Sequence, residues 1–264
     1  MTGAEGSVDP RLAAHRRIWE KKASLRAVYA DYYRRMAASL PKEGVWLEIG
    51  AGSGHSEGVL NADVCMDILE SPWIDVVGDA HRLPFPDESL DGIAMLDVLH
   101  HLGDPARFFE ESARVLKPGG RIVMLDPGIT PLSWLFYHFL HEEPVDMTAD
   151  PLSPAANATD KDPFDSNQAI PTLLFKREER RIALSDRVPE LRTVERRWLS
   201  LFAYPLTGGF KGWSLLPAKW ADGLLRLEER LLPYLGMWAA FRIFIVMEKR
   251  PLGERAGRSR QKRK

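Results

Sequence analysis

The sequence predicts an α/β protein built on a parallel sheet, and two observations carry this prediction. Between about residues 45 and 128, short apolar segments alternate with turns and with a helical segment. The first of them, VWLEIG, runs directly into a glycine-rich turn, as a strand does before a ligand-binding loop. Strands that alternate with helices favour a parallel sheet with right-handed crossovers.

Composition limits the class of protein. The 264 residues carry 36 Lys and Arg against 37 Asp and Glu, so the formal net charge is -1. A globally basic nucleic-acid binder is therefore disfavoured, and the ordinary apolar content excludes a mainly disordered chain. The single cysteine, Cys65, excludes an intrachain disulfide. Without a secretory signal or a run of about 20 apolar residues, we expect a cytoplasmic protein, soluble or peripheral at a membrane.

The elements before the sheet follow from local pattern. Residues 1–10 contain Gly and Pro and are expected to be disordered. Residues 11–40 predict one helix, because their apolar side chains recur at spacings of three, four and seven. Pro41 and Gly44 end this helix.

Five strand candidates and one helix follow in the core, residues 45–128. The strands are VWLEIG, DVCMDI, IDVVGD, LDGIAMLDVL and RIVMLDP, and the helix runs from about Asp104 to Leu116. Residues 129–236 are expected to form a cap that contains a long loop at 143–171. Two late strand candidates are TVERRWLSLFAYPL and MWAAFRIFIVMEKR, and residues 237–250 form the last strand. Residues 251–264 form a basic tail.

The glycine-rich turn carries the chemistry. Gly50, Gly52 and Gly54 follow the first strand, and small residues there let a ligand approach the main chain. A dinucleotide fingerprint needs another glycine where His55 stands. Glu48 precedes the turn; its carboxylate would repel a pyrophosphate and suit a ligand with an ammonium group. A tight turn without a ligand is the alternative.

Further polar residues follow the next strands. Asp67 ends the second strand, where an acid can accept hydrogen bonds from two ribose hydroxyls. After the third strand, Asp79 could accept from an exocyclic adenine amine, and Ala80 leaves room for the ring. Leu96 and Asp97 end the fourth strand. Because ligands of open α/β sheets lie outside the carboxyl ends of the strands, we expect these residues to converge on one edge.

These motifs together resemble a known family. EIGAGSG, Asp67, DAHRLPFPDESLD, LDVLHHL and RVLKPGGRIVMLDP are similar to the successive motifs of class I S-adenosylmethionine-dependent methyltransferases, most of all the type 11 methyltransferase domain. The resemblance implies a Rossmann-like seven-stranded sheet with a reversed last strand. It also implies S-adenosyl-L-methionine as cofactor, with the turn at its methionine part, Asp67 at the ribose and Asp79-Ala80 at the adenine. The helical segment 11–42 would then be a lid, with the cap inserted after strand five.

Two departures from that family concern the cofactor site. Only nine residues, HSEGVLNAD, lie between Gly54 and Val64, and only 11 lie between Asp67 and Asp79. The helices that usually follow strands one and two are therefore expected to be short or missing. Weak or conditional cofactor binding is a consequence.

His101, after the fourth strand, and His141, in YHFLHEEP, are the candidate catalytic bases. A base is needed only where the acceptor must lose a proton, and local packing of both rings is the alternative. No metal site is expected, because nothing in the sequence defines a third ligand.

The leading functional hypothesis is methyl transfer to an O, N or C atom of a small-molecule acceptor, with a bulky or lipid-linked acceptor suggested by the apolar cap. Two alternatives stay open: a non-enzymatic scaffold that kept the fold, and an RNA methyltransferase guided by the basic tail. A nucleic-acid partner is disfavoured, peripheral membrane contact is an open option, and the oligomeric state is undetermined.

Overall fold

The structure is a computed structural model that describes residues 8–140, 143–153 and 161–251, with the backbone alone for Leu140. His141 lies outside the described residues, as do nearly all of the basic tail 251–264 and most of the segment 1–10.

One mixed sheet organises the chain. Its strands are β1 (Trp46–Ile49), β2 (Val64–Asp67), β3 (Val76–Val77), β4 (Leu90–Leu96), β5 (Leu116–Pro127), β6 (Leu191–Leu199) and β7 (Arg242–Lys249). Their order is β3-β2-β1-β4-β5-β7-β6. The pairs among β1 to β5 are parallel, and β7 is antiparallel to both β5 and β6. This is the class I methyltransferase topology with its reversed last strand, so the predicted fold is confirmed.

Helices cover both faces of the sheet. They are α1 (Pro10–Lys21), α2 (Ala23–Ser39), α3 (Pro105–Val115), α4 (Pro131–Leu140), α5 (Ile170–Lys176), α6 (Glu178–Arg187), α7 (Ala203–Thr207) and α8 (Ala221–Ala239). Alternate residues of β7 enter different cores: Ile243 and Ile245 pack on one face, Phe244 and Val246 on the other. A strand buried on both faces reads as a continuous apolar run, as β7 does.

The connections after β1 and β2 contain turns only. All residues between Ile49 and Val64 and between Asp67 and Val76 are described, and neither stretch contains a helix. The short spacings in the sequence therefore predicted the missing helices correctly.

The predicted single helix 11–40 is two helices. The break lies at Lys22, which has φ -103° and ψ 84°. Arg26 stabilises this break, because its guanidinium donates to the carbonyls of Trp19 and Glu20 at the end of α1, both at 2.6 Å. Orphan carbonyls at a helix end need such donors.

The strand predicted over TVERRWLSLFAYPL ends earlier than expected, at Leu199. The chain turns at Ser200, where φ is 59°, and α7 begins at Ala203. The carboxylate of Glu228 on α8 accepts from the N–H groups of Leu201 and Ala203, and from that of the residue between them. The carboxylate of Glu228, distant in sequence, thus accepts the backbone hydrogen bonds that a neighbouring strand would otherwise accept. Strand β6 itself lies inside segment 129–236, which the sequence predicted as a cap.

Candidate functional site

A cavity of about 1070 Å³ opens at the carboxyl edge of the parallel strands. Most of the predicted site residues line it, namely Gly50, Gly52, Asp67, Asp79, Ala80, Leu96, Asp97 and His101. Their convergence follows from topology, because the carboxyl ends of parallel strands meet at one edge. Glu48 and Gly54 are not among the described residues that line the cavity.

The glycine turn after β1 is shaped for close approach. Gly50 has φ +80°, a conformation that favours glycine, and a Cβ built on it would lie 2.1 Å from Val98 Cγ2. The N–H groups of Gly50 and Ala51 both donate to the carbonyl of Met66 at the end of β2. A Cβ on Gly52 would lie 2.7 Å from Asp67 Oδ2. Side chains larger than hydrogen would therefore fill this cradle.

Asp67 connects β2 to the turn. Its Oδ2 accepts from the Gly52 N–H and its Oδ1 from the Leu69 N–H, each at 2.9 Å. Burial raises the pKa of this carboxyl, and those two backbone donors oppose the increase. Each oxygen still has a second lone pair. The carboxylate is thus held rigidly at the cavity wall with acceptor capacity remaining.

Asp79 and Ala80 follow β3 on the same wall. Asp79 Oδ1 accepts from the backbone N–H of His81 at 2.9 Å and contacts His81 Nδ1 at 2.7 Å. His81 Nε2 accepts from the Asp104 N–H at 3.2 Å, so Nδ1 carries the proton and donates to Asp79. His81 also lines the cavity. The sequence analysis missed it, although its place in DAHRLPF was the signal.

Glu48 is buried behind the turn. Its carboxylate accepts from Ser56 Oγ, and Cys65 Sγ lies 3.8 Å away. Burial raises the pKa of the Glu48 carboxyl to about 7, although hydrogen bonds from Ser56, Cys65 and Tyr33 oppose this increase. The expected role as a partner for a ligand ammonium group does not fit this position. Glu48 instead holds the loop that follows the turn.

Gly54 also faces protein. A Cβ there would lie 2.8 Å from Trp73 Cβ, and the Gly54 carbonyl accepts from Arg16 Nη1 at 3.0 Å. Arg16 Nη1 also donates to the Ser53 carbonyl at 3.2 Å. Helix α1 is thereby attached to the turn, and Leu12 and His15 of the same helix line the cavity.

A polar cluster lies deeper in the cavity, at Asp97. Asp97 has φ +60°, which is strained for a residue other than glycine and occurs most at functional sites. Its carboxylate accepts from the Tyr29 hydroxyl at 2.9 Å and from the Arg242 guanidinium. Arg242 is 2% exposed, and its guanidinium carbon lies 4.1 Å from the centre of the Tyr204 ring. All four residues line the cavity, so this ion pair forms part of its inner wall.

The second polar cluster contains His100, His101 and Glu143. His100 Nδ1 lies 2.8 Å from Asp126 Oδ1, and His100 Nε2 lies 3.5 Å from Glu143 Oε2. Glu143 also accepts from Ser166 Oγ at 2.7 Å and from the side-chain amide of Gln168, so it has several partners.

Burial and the neighbouring charges determine which side chains of this cluster carry protons. Burial opposes the charged form of His100, but the bonds and charges of Asp126 and Glu143 outweigh it and raise its pKa to about 9. Burial and the neighbouring charge of His100 lower the pKa of His101 to about 3. His101, the predicted base, is therefore neutral at pH 7 but a weak proton acceptor.

The sequence analysis did not identify Asp126 or Arg242 as site residues. They lie at the end of β5 and at the start of β7. The position of Asp126 could have predicted its place in the site. It lies at the end of the buried strand β5, and polar residues at strand ends face the edge where ligands bind. The sequence offered a second signal in Arg242, a charged residue directly before the apolar run 243–247.

Comparison with known proteins identifies a matching family and several relatives. Residues 47–124 match the family described as "Methyltransferase domain". Demethylmenaquinone methyltransferase of Mycobacterium sp. (strain KMS) is 37% identical over 33% of this chain and 34% of that protein. 27-O-demethylrifamycin SV methyltransferase of Amycolatopsis mediterranei is 43% identical over 20% of each chain. The chain thus spans about a third or less of the length of these curated relatives.

A solved S-adenosylmethionine-dependent methyltransferase from Archaeoglobus fulgidus superposes over 85% of this chain and 94% of its own, with 18% identity and a TM-score of 0.47.

Proposed function

We propose that this chain, whose residues 47–124 form a methyltransferase domain of the class I type, binds S-adenosyl-L-methionine and methylates a small apolar molecule. The observation that carries the proposal is the convergence of Gly50, Gly52, Asp67 and the Asp79-Ala80 pair on one cavity wall. The family match covers the same segment. Activity and acceptor are proposals, because the aligned relatives share only part of their length with this chain.

The residues present fit this cofactor. The cradle at Gly52, which a Cβ would fill, admits the methionine part, and Asp67 offers acceptor positions to the ribose hydroxyls. Asp79 and Ala80 would hold the adenine. When bound, S-adenosylmethionine would supply an electrophilic sulfonium methyl group, and the electron pair of its C–S bond would return to sulfur as the acceptor atom bonded to the methyl carbon.

The chain itself contributes alignment and exclusion of water. Leu12 and His15 of α1 close one side of the cavity, and the Asp97–Arg242 pair forms its inner wall. Holding two reactants in line removes much of the entropic barrier, and desolvation strengthens electrostatic contacts. Because His101 is a weak proton acceptor and His100 already carries a second proton at neutral pH, we propose alignment rather than general-base catalysis as the contribution of this chain.

Part of the lining of the cavity is aromatic. It consists of Phe136, Tyr137, Tyr204, Phe210 and Trp213. Such walls favour a bulky, apolar acceptor that a few polar groups orient. We therefore propose a first acceptor panel that includes demethylmenaquinone and 27-O-demethylrifamycin SV, the compounds in the relatives' names.

Calorimetry with S-adenosylmethionine and S-adenosylhomocysteine tests the cofactor site. We expect saturable binding that Asp67→Ala weakens at least 100-fold and Gly52→Val abolishes, because one removes the acceptor and the other fills the cradle. Asp75→Ala is the matched control, since Asp75 Oδ2 likewise accepts a backbone N–H, from Cys65, but does not line the cavity. Absence of binding at millimolar cofactor would support the scaffold alternative instead.

Peripheral membrane contact is a second proposal, and an exposed apolar surface favours it. Large apolar side chains stand out on α4 and α8, among them Phe139, Tyr234 at 78% exposure and Met237 at 58%. A groove of about 650 Å³ beside α4 shares Phe136 and Pro205 with the large cavity. No helix of the described residues is long and apolar enough to cross a membrane. The surface would thus contact lipid from one side.

Vesicle flotation tests this contact. We expect the wild type to float with phosphatidylcholine–phosphatidylglycerol vesicles, and Phe139→Ser with Trp238→Ser to reduce the bound fraction at least fivefold. Val194→Ser, an exposed apolar residue on β6, is the control. If the wild type stays with the unbound fraction at low and high salt, membrane contact is excluded.

An RNA-binding assay tests the RNA alternative. If deletion of residues 251–264 leaves RNA binding unchanged, the basic tail does not guide an RNA methyltransferase.

A further inference from the structure

Three side chains with metal-binding atoms meet in the cavity wall. His100, His101 and Glu143 each offer one ligand atom, and these atoms lie within 4.8 Å of one another. The histidines follow β4 in a short 3-10 helix, Leu99–His101, whereas Glu143 follows α4. All three line the cavity. Open space therefore borders the point on which their ligand atoms converge.

The hydrogen bonds behind His100 are those of a metal-binding histidine. Its Nδ1 lies 2.8 Å from the carboxylate of Asp126, which is fully buried, while the ring itself is 3% exposed. A carboxylate behind the ring holds the proton on Nδ1, so Nε2 directs its lone pair forward once a metal ion displaces the proton that Nε2 carries at neutral pH. Nε2 faces Glu143 Oε2 at 3.5 Å. Two ligand atoms on a tetrahedral ion, each bonded at about 2.1 Å, are separated by about 3.4 Å.

His101 is oriented in the same way. Its Nδ1 lies 3.2 Å from the carbonyl oxygen of Asp165, which can only accept, so Nδ1 carries the proton. Nε2 of this ring is then the atom available as a ligand. Lys161 donates to the His101 carbonyl at 2.8 Å and holds the backbone of the 3-10 helix in place. Both imidazoles thus present Nε2 from fixed positions.

Charge and the remaining polar groups agree with a cation. Asp126 and Glu143 bring two carboxylates close to one imidazole, and buried charges in proteins are paired or coordinate metals. A divalent ion would balance both carboxylates. Gln168 lines the cavity and donates to Glu143, while its side-chain oxygen is buried without a partner among the described residues. That oxygen is an acceptor for a metal-bound water.

We propose that His100 Nε2, His101 Nε2 and Glu143 bind one divalent transition-metal ion, with Asp126 positioning His100. Two imidazoles and one carboxylate suit Zn²⁺, Fe²⁺ or Co²⁺ better than Mg²⁺ or Ca²⁺, which prefer oxygen ligands alone. Three protein ligands leave a position open toward the cavity. An oxygen atom of the methyl acceptor would take this position; that role rests on the proposed function, whereas metal binding does not.

The test uses the full chain, freed of any purification tag and treated with a chelator. Zn²⁺ is titrated by calorimetry, and Co²⁺ by its visible absorption, both without S-adenosylmethionine. We expect one ion per chain. His101→Ala and Glu143→Gln should each weaken binding at least 100-fold, and Asp126→Asn between about 10- and 100-fold. His138→Ala is the matched control, because His138 is exposed on α4 and stacks on Trp134.

Binding of about one ion that follows this order of variants supports the site. Absence of stoichiometric binding by Zn²⁺, Co²⁺ and Fe²⁺, or equal affinity in Glu143→Gln and the wild type, overturns it. Thermal unfolding of each metal-free variant verifies that the variant folds. If His101→Ala is unfolded, the metal affinity of Glu143→Gln decides whether the site exists. Cofactor calorimetry on the metal-free wild type is read separately, so failure of the metal site and failure of the proposed function are distinguishable.

Discussion

Single carboxylates at this sheet edge have different roles because their surroundings differ. Glu48 and Asp67 end neighbouring strands, yet Glu48 is enclosed by Ser56 and Cys65 while Asp67 faces the cavity. Burial raises the pKa of both groups, but Asp67 receives two backbone N–H donors that oppose the shift. One acid therefore supports the loop, and the other remains available to a ligand.

Glu48 makes stability depend on pH, because its pKa is about 7 in the folded protein against an ordinary value of 4.5. Below pH 4.5 the group is protonated in both states, and its contribution to stability is fully present. Between pH 4.5 and 7 only the unfolded chain ionises, so the free energy of unfolding falls, by about 3 kcal/mol in all.

We expect Glu48→Gln to remove this decline, and urea unfolding at pH 4.5, 6 and 7.5 measures it as a difference from the wild type. Glu57→Gln, which alters a carboxylate that is 79% exposed, should leave the pH profile unchanged. A Glu48→Gln profile parallel to that of the wild type would contradict the assignment.

At the level of elements, α1 closes the site through side-chain contacts rather than deep burial, among them the stacking of His15 on Phe210 and of Trp19 on His55. Leu12 is its one buried residue, and the Arg16 guanidinium holds the helix to the carbonyls of Ser53 and Gly54. The break at Lys22 separates α1 from the well-buried helix α2. An element with so little buried surface opens at low free-energy cost.

Arg16→Ala should therefore increase the dissociation rate of S-adenosylhomocysteine roughly tenfold, because two hydrogen bonds that close the lid are lost. Stopped-flow displacement measures this rate. Arg17→Ala, an exposed neighbour on the same helix, should leave it unchanged. Equal rates for the two variants would show that α1 does not control release.

The connection from β6 to α7 depends on one distant side chain. Glu228 accepts from three consecutive backbone N–H groups that have left the sheet. Glu228→Ala leaves these buried donors unpaired, and we expect a loss of roughly 2–4 kcal/mol of unfolding free energy in urea titrations. Glu228→Gln keeps an accepting oxygen and should lose less than half of that. Equal losses would mean that packing rather than hydrogen bonding determines the effect.

For the molecule as a whole, the carboxyl edge that borders the cavity and the two apolar cores belong to the same sheet. Binding to the folded state alone must therefore stabilise the entire domain. At a concentration 100 times Kd, S-adenosylhomocysteine should add about 2.7 kcal/mol to the unfolding free energy, which calorimetric scans read as a higher Tm. Asp67→Ala should show no such increase, and Asp75→Ala the full one. If saturating S-adenosylhomocysteine left the Tm of the wild type unchanged, binding to this edge would be excluded.

The sequence by itself determined the sheet and several of the residues that line the cavity at its carboxyl edge. Gly50, Gly52, Asp67 and Asp79 lie at or just after strand ends, and parallel strands bring such positions to one edge whatever the details of packing. The short spacings after β1 and β2 likewise left no length for helices. These features are local in sequence, so pattern alone predicts where they lie.

Only the tertiary structure decided which side chains meet across the cavity. Arg242 reaches Asp97 over 145 positions of sequence, and His100 meets Asp126 and Glu143 from three separate elements. Tertiary packing also buried Glu48 behind the turn and divided the N-terminal helix at Lys22. Such outcomes depend on how distant elements pack and on which polar groups then need partners, and neither is written in local periodicity.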